Sequence, residues 1–499
     1  MRTKKAGLNA IINLINYIIM ILPNFFIRKV FLTTLGEELL GLNSLYQNII
    51  GFLCISELGL SLAISYALYS PIARNDKPKI KGYISYYTKF YRKVSIFIFS
   101  VGMIIVPFIH IFTNSRIKNM KIYFIMFLIN TCMTYLFSAK FCLLNVSQEN
   151  YIISITQTLT NLLMAISQII LLYEYKNYFI FICIQIIFNL LQMLILNIII
   201  NRKFNWLKNE KGILEKKHIK ELYKTMKGLF FHKISAMVLF ATDNIVISSF
   251  LNLFTVANFG NYYLVISGAQ SIMIKLFDGI TASVGNLLTE NNSEKSYDIY
   301  KKSQFVAFCL VSIMSICILN SINIFIDLWI GEKYRIDNLS IFLLVMNFYF
   351  LGMRLPIEKF KETSGIYHED RYWAVCQAIL NLIISILMVN IIGLPGVFLG
   401  TFISNYSVEF WIKPKLVYSR IFKVDYKIYL KQYFIYLLIF LITYFITNRV
   451  INLIAFRGIL KFISVNLVSI VIVLFLYYMI FRSTKEYIYI KNILLRKSN

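Results

Sequence analysis

Apolar residues run through this chain in long blocks, and polar residues collect between them. Fourteen blocks are long enough to cross a bilayer: 8–27, 41–70, 92–113, 121–143, 151–173, 178–200, 229–251, 258–288, 304–330, 339–360, 372–392, 395–412, 432–449 and 458–481. A hydrocarbon core of about 30 Å needs roughly 20 apolar residues in a helix, and inside lipid the backbone must satisfy its own hydrogen bonds. The pattern therefore predicts an all-α polytopic membrane protein. A missed pair of helices would preserve the same parity, so twelve spans also satisfy the pattern. Most connections are short. The exceptions are 71–91, 201–228 and 413–431. The middle one divides the chain into 1–200 and 229–412, with six spans in each. Two such halves starting on the same side read as a parallel repeat about an axis along the membrane normal. LLGLNSLYQNIIG at 39–51 and VANFGNYYLVISG at 256–268 each open the second helix of a half. Residues 413–499 add two plainer spans and a tail, read as an anchor or as the wall of a lipid-facing groove.

Composition sharpens this picture. The chain has 499 residues, is 58% hydrophobic and carries a net charge of +27, with a mean hydropathy of +0.66. In a soluble chain that charge would suggest nucleic acid; here it sorts by side. Of the 51 Lys and Arg, 38 fall in the termini and alternate loops of one side and 11 in the opposite loops, leaving Lys233 and Lys275 inside spans. This positive-inside bias places both termini in the cytoplasm and requires an even number of spans. The start, with Arg2, Lys4 and Lys5, resembles a signal peptide, but the following run contains Asn13, Asn16 and Pro23 and lacks a small-x-small cleavage site. It is read as a retained first helix. Seven cysteines lie in apolar segments without a CxxC pair, and four histidines lack HExxH spacing. Neither disulfides nor a zinc site is expected, and no Gly-rich phosphate loop is present.

The three basic loops differ in texture. Pro71 opens the first as a helix stop, and Tyr86, Tyr87 and Tyr91 interleave with lysines, which suits an interfacial segment. In 201–228 nine basic residues alternate with Ile213, Leu214, Ile219, Leu222, Tyr223 and Met226 at near-helical spacing. That is either an amphipathic helix drawn to anionic membrane lipids or a solvated linker.

Charges inside spans carry the candidate chemistry, because an ionisable group in a membrane helix usually faces a partner or a water-filled cavity. The stretch 226–252 holds His232, Lys233 and Asp243. At 100° per residue His232 and Asp243 fall within 20° of one face but roughly 16 Å apart along the axis. They mark two depths of one wall, either of a packing face or of a charged transport cavity. Lys275 and Asp278 are at i, i+3 and suit a local pair. Arg354 and Glu358 are at i, i+4 around Pro356, as a clasp near a helix end that the proline kinks. Glu57 stands alone ahead of Gly59 as a counterion or protonatable group.

At 35–97 the text (LGEELLGLNSLYQNIIGFLCISELGLSLAISYALYSPIARNDKPKIKGYISYYTKFYRKVSIF) resembles the bacterial polysaccharide repeat-unit flippases of the multidrug/oligosaccharidyl-lipid/polysaccharide (MOP) exporter superfamily. The likeness continues through YLFSAKFCLLNVSQENYIIS at 135–154, FFHKISAMVLFATDNIVISSF at 230–250, ITASVGNLLTENNSEKSYDIYKK at 280–302 and LWIGEKY at 328–334. GMRLPIEKFKETSGIYHEDRYWAV at 352–375 and GLPGVFLGTFISN at 393–405 complete it, so that it covers most of 30–420. SAM at 235–237 replaces a Gly-rich turn, and Tyr372–Trp373 replaces a Pro-containing helix start.

The resemblance implies a MATE-like V of two six-helix lobes around a central cavity in the bacterial cytoplasmic membrane. It implies a substrate as well, an undecaprenyl-pyrophosphate-linked oligosaccharide moved from inner to outer leaflet for surface polysaccharide synthesis. Lys233, Lys275, His232, Arg28 and Arg354 are then the cations available to its headgroup, with Tyr262 and Tyr263 offering ring faces to sugars. Asp243, beside Asn244, would pair with a cavity cation or take a coupling proton or sodium ion. Partners would include a polysaccharide polymerase and assembly proteins, and no nucleic acid. The alternatives are a peptidoglycan-precursor flippase, a multidrug/sodium antiporter, a membrane polysaccharide polymerase or ligase, and a scaffold for polysaccharide assembly. Short outer loops disfavour the enzyme.

Overall fold

The computed structural model describes residues 23–57, 60–113, 117–147, 149–223, 242–278, 280–290, 292–364, 366, 369 and 371–494. Among these the regular structure is helical throughout, with no strand. Nine helices are long and apolar enough to cross a membrane. They account for nine of the fourteen expected spans. The first and seventh fall largely on residues outside those described. The second, eighth and twelfth are broken or more polar. The chain is an all-α polytopic membrane protein.

It divides into two compact units, Tyr17–Ala257 and, in the second, Asn258–Asn499. In the first unit the expected second span is two helices, Glu37–Leu53 and Leu60–Ala73, with a 3₁₀ turn at Cys54–Glu57 between them. Pro71 lies inside Leu60–Ala73. The helix runs only two residues past the proline, so it stops close to where the sequence places the stop. The expected loop 71–91 is accordingly short. Asp76 accepts from Lys79 N at 3.2 Å and caps a new helix, Lys77–Ile105, with a proline in its first turn. The third span thus begins fifteen residues early, taking 92 as the expected start and 77 as the observed one. Tyr87 and Tyr91 correspondingly face inward and are buried, not interfacial.

The end of this unit is held by its beginning. From the helix at 23–35, the Arg28 guanidinium donates to the Ala257 carbonyl at 3.2 Å. Gly41 lets the Leu253 carbonyl lie where a Cβ would be only 2.1 Å away. Tyr46 is fully buried, donates to the Met120 carbonyl at 2.8 Å and meets Phe124 and Phe127 edge-on.

In the second unit Ser293–Trp329 runs for 37 residues, so most of the expected connection 288–304 is helical; Asn292 caps it by accepting from Lys295 N. Asn338–Thr363 continues through Pro356. The expected twelfth span is longer than 395–412. Leu394–Ser404 passes through a π turn at Asn405–Glu409 into Phe410–Val417 and a second π turn at Tyr418–Phe422, which absorbs the first half of the expected loop 413–431. The last two spans, Lys427–Ile451 and Gly458–Phe481, do more than anchor. Phe308 stacks on Tyr436 and Tyr477 at 4.3 and 4.9 Å. Asn320 donates to Thr447 and Ser469, and Ser321 to Asn466. Their opposite faces, with Leu467, Val471, Leu474 and Phe475, are exposed and apolar, as a lipid-facing surface requires. All seven cysteines are unpaired; Cys132 and Cys142 are buried, whereas Cys376 is exposed.

Candidate functional site

Two polar centres stand out, one in each unit. In the second unit four ionised side chains interlock. Arg354 contacts Glu358 at 3.0 Å, one turn on along its helix, and also pairs with Glu409. Lys413 reaches Glu358 at 2.8 Å and Glu409 at 2.6 Å. Their side chains are between 10% and 22% exposed, so the two pairs are screened from bulk water by protein. The clasp expected from Arg354–Glu358 spacing is therefore half of a larger one. Glu409 and Lys413 lie one turn apart, where the π turn meets Phe410–Val417. The Arg354 guanidinium also lies over the Phe350 ring at 5.4 Å, beside Tyr406 and Phe410.

The residue after Glu358 on the same helix, buried Lys359, binds Asp278 at 2.7 Å and Glu362 at 2.9 Å, and Lys361 is buried two residues on. Asp278 thus has a partner on another helix that its i, i+3 spacing from Lys275 did not indicate. Lys275 is half-buried in the last turn of Leu253–Asp278. Tyr262 is fully buried; its hydroxyl donates to Asn323 Oδ1 at 2.6 Å and accepts from Ile336 N at 3.3 Å. Its ring has no open face for a sugar, unlike the partly exposed ring of Tyr263.

In the first unit the centre is Glu57, at the break between Glu37–Leu53 and Leu60–Ala73. The Tyr91 hydroxyl donates to its Oε1 at 2.7 Å, and the Tyr87 hydroxyl bonds that of Tyr91. Tyr135 packs edge-on against Tyr91 at 5.2 Å. A carboxylate facing a chain of phenols is polarised but keeps its charge unpaired by these groups, since a phenol gives a hydrogen bond and no countercharge. Asp243 lies on the helix at 242–250; its Oδ1 and the Asn244 Oδ1 are buried with no hydrogen-bond partner among the described residues. His232 and Lys233 lie outside the described residues, so the expected common face with Asp243 does too. Arg28 is committed to the Ala257 carbonyl, a fold-holding contact.

Sequence reasoning missed Glu409, Lys413, Lys359 and Lys361 in the second unit and the tyrosines around Glu57. It also missed an uncharged polar layer. Gln377 donates to Asn405 at 2.7 Å, Asn381 to Thr401 at 2.8 Å and Ser385 to the Val397 carbonyl at 3.1 Å, across helices Arg371–Ile392 and Leu394–Ser404. The signal available was the i, i+4 repeat of Gln377, Asn381 and Ser385. Gly400 allows the close approach, since a Cβ there would sit 2.2 Å from Ser385 Oγ. Among the described residues no group of His, Cys, Asp and Glu is placed to hold a metal ion.

Neither a scan against protein-family models nor a search of curated proteins finds a match. Solved structures do. A Lipid II flippase MurJ in an inward closed conformation aligns with TM-score 0.70 and 14% identity over 94% of this chain and 98% of that one. An inward-facing multidrug resistance MATE transporter of the MOP superfamily aligns with TM-score 0.60 and 14% identity over 78% and 91%. A variant of the Vibrio cholerae MATE transporter VcmN aligns with TM-score 0.59 and 12% identity over 84% and 98%. At such identity the likeness is one of fold, and the fold is that of multi-pass membrane transporters.

Proposed function

We propose that this protein is a flippase that moves an undecaprenyl-pyrophosphate-linked oligosaccharide repeat unit from the inner to the outer leaflet of a bacterial cytoplasmic membrane. What supports the reading most is the cluster of Arg354, Lys359, Lys361 and Lys413 within or beside membrane-spanning helices, set against Phe350, Tyr406 and Phe410. A pyrophosphate cannot enter hydrocarbon unless something replaces its hydration. A guanidinium already held by two carboxylates offers the same fork to a phosphate, so an arriving headgroup exchanges with Glu358 or Glu409 instead of meeting a bare buried charge. Aromatic rings alongside suit sugar faces. The lipid tail stays in the bilayer, and the chain handles only the polar end.

Directionality then comes from an ion gradient or from consumption of the product outside. Asp243 is the proposed carrier of a coupling proton or sodium ion, because its Oδ1 is buried and lacks a partner among the described residues. Charge reversal at Asp243 at unchanged protein level should abolish export; unchanged export would remove it from the mechanism. The likeness in fold to a Lipid II flippase favours a second reading, in which the cargo is the peptidoglycan precursor.

The test follows the labelled lipid-linked saccharide in cells depleted of the protein, with a probe that acts only from outside. Completed units trapped on the cytoplasmic leaflet, with surface glycan lost and peptidoglycan intact, are the expected result. Trapped peptidoglycan precursor would move the assignment to the second reading. Single unpolymerised units accumulating on the outer face would replace transport by polymerisation.

A further inference from the structure

The basic linker is built into the first unit, and the way it is built makes a site. Residues 201–215 fold against the start of Lys77–Ile105. The Ile213 N–H donates to the Pro78 carbonyl at 3.1 Å. Gly82 and Gly212 meet backbone to backbone: a Cβ on Gly82 would lie 2.4 Å from the Ile213 carbonyl oxygen, and one on Gly212 would lie 3.0 Å from Gly82 N. Lys77 lies over the Trp206 ring at 5.9 Å, and Tyr83 meets His218 edge-on. The linker is therefore not one amphipathic surface helix. It is a 3₁₀ turn at Asn205–Lys208, an extended stretch and a helix at 216–223, with Leu207 and Leu222 inward and Ile213 and Tyr223 outward.

That docking gathers like charges. Lys81 Nζ donates to the Leu207 carbonyl at 2.6 Å, which sets it beside Lys208. Lys140, in the turn after Met120–Ser138, donates to Asn201 Oδ1 at 2.7 Å. Both ammonium groups are thus aimed by neutral acceptors. Burial and then the charges of Lys81 and Lys208 lower the Lys140 pKa, so among the described residues the charged groups that shift it are both lysines. Of the acids in these segments, Glu149 pairs with Lys203, Asp76 accepts from the Lys79 N–H and Glu215 lies 3.9 Å from His218. Like charges brought together in this way repel one another, and an anion from outside the chain would relieve that repulsion.

We propose that Lys81, Lys140 and Lys208 form a binding site for the phosphate of an anionic phospholipid headgroup in the leaflet on the cytoplasmic side. The site lies at the start of the span Lys77–Phe112 and at the ends of Met120–Ser138 and Tyr178–Lys203, with Ile213 and Tyr223 exposed beside it. Three lysines on one phosphate seat the headgroup by charge and leave the acyl chains in the bilayer. The inference needs the membrane fold and the positive-inside orientation, and it does not need the flippase reading.

The test uses the full chain purified in neutral detergent. Dihexanoylphosphatidylglycerol is titrated below its micelle concentration, with dihexanoylphosphatidylcholine as the uncharged match and inorganic pyrophosphate as the free anion, reading the rise in Tm. The phosphatidylglycerol titration should be saturable. Lys81→Gln/Lys140→Gln/Lys208→Gln should weaken it about a hundredfold, at roughly a fivefold loss per lysine. A second triple variant, Lys333→Gln/Arg457→Gln/Lys461→Gln, removes equal charge from the opposite side and should leave it unchanged. Equal weakening in both triples, or none in the first, overturns the site. Pyrophosphate binding as tightly as phosphatidylglycerol overturns the lipid assignment. An unliganded Tm of the first triple within a few degrees of the parent separates loss of binding from loss of fold.

Discussion

In the first unit Tyr46 reaches from Glu37–Leu53 to the Met120 carbonyl, where a membrane span begins. In the second, Tyr262 reaches from Leu253–Asp278 to Asn323 and to the Ile336 N–H, two residues ahead of the span that begins at Asn338. Both are fully buried tyrosines on the segments whose sequences suggested a repeat, and both tie that helix to the start of a later span. In the first unit that helix gives way after Leu53 to a 3₁₀ turn that holds Glu57, and in the second Asp278 lies in its last described turn. The aromatic tie is alike in the two segments, and the charges around it are not. Asp278 meets buried Lys359, which directly follows Glu358 of a clasp of two cations and two carboxylates. Glu57 meets phenols, and the lysines of the first unit gather with each other. Similar aromatic ties thus go with different ionic surroundings: the charges around Arg354 and Lys359 are paired, whereas Glu57 faces phenols and Lys140 faces other lysines.

The largest test of this contrast removes one member of each centre. Arg354→Leu leaves two buried carboxylates sharing Lys413, and breaking a buried pair in this way costs about 3–5 kcal/mol. Glu57→Gln keeps an acceptor for Tyr91, loses no countercharge and should cost about 1 kcal/mol or less. Thermal unfolding in one detergent compares them directly; equal losses would mean that Glu57 is as firmly paired as Arg354. Replacing Arg354, Glu358, Glu409 and Lys413 together by Met and Leu should recover most of the stability while ending transport, which separates the clasp's structural part from its exchange with an anion.

Next in size are the close approaches. Gly41→Ala drives a Cβ into the Leu253 backbone and should cost about 1–3 kcal/mol, as overpacking does. Gly352→Ala in the second unit meets Val311 Cγ2 at 2.5 Å, the end of a side chain that can turn away. A smaller loss is expected there, read from the same unfolding curves. Removing the tie itself is also unequal. Tyr262→Phe strands both the Ile336 N–H and Asn323, for about 1–3 kcal/mol, whereas Tyr46→Phe deprives only the Met120 carbonyl and should cost nearer 1 kcal/mol. A reversed order would break the parallel between the two tyrosines.

Hydrophobic blocks made the architecture legible because a span needs only length and apolarity, both local properties. Boundaries were less so. Pro71 and the Tyr–Lys text after it look like a loop, yet the helix ends only two residues past the proline and Asp76 starts the next almost at once. Nothing in NYSVE or YSRIF announces a π turn, because that geometry follows from what the helix must align, here Glu409 and Lys413 against Arg354 and Glu358. Half of the clasp was visible as an i, i+4 pair; the other half lay 55 residues from Glu358, in the last turn of an expected span and the loop after it. Glu57 stood out as a lone charge, but its phenols come from a stretch whose tyrosines read as interfacial. Spacing along one helix reveals neighbours on that helix, and the partners that define both centres come from another.

The smallest effect concerns the unpaired charge itself and has a sign that the clasp cannot imitate. Burial and two neighbouring lysines hold the Lys140 pKa below its ordinary value. Folding therefore disfavours its charged form: the penalty is fully present below the folded pKa and fades as pH rises through that value toward the unfolded one. In lipid-free detergent the stability of the parent relative to Lys140→Gln should accordingly improve as the pH is raised into the alkaline range, by much less than the clasp is worth. Adding phosphatidylglycerol supplies the missing anion, which favours the charged form and raises the folded pKa. The gain with pH should then shrink or reverse. A difference that ignores both pH and lipid would mean that Asn201 alone satisfies Lys140, and the contrast between paired and unpaired units would lose its clearest member.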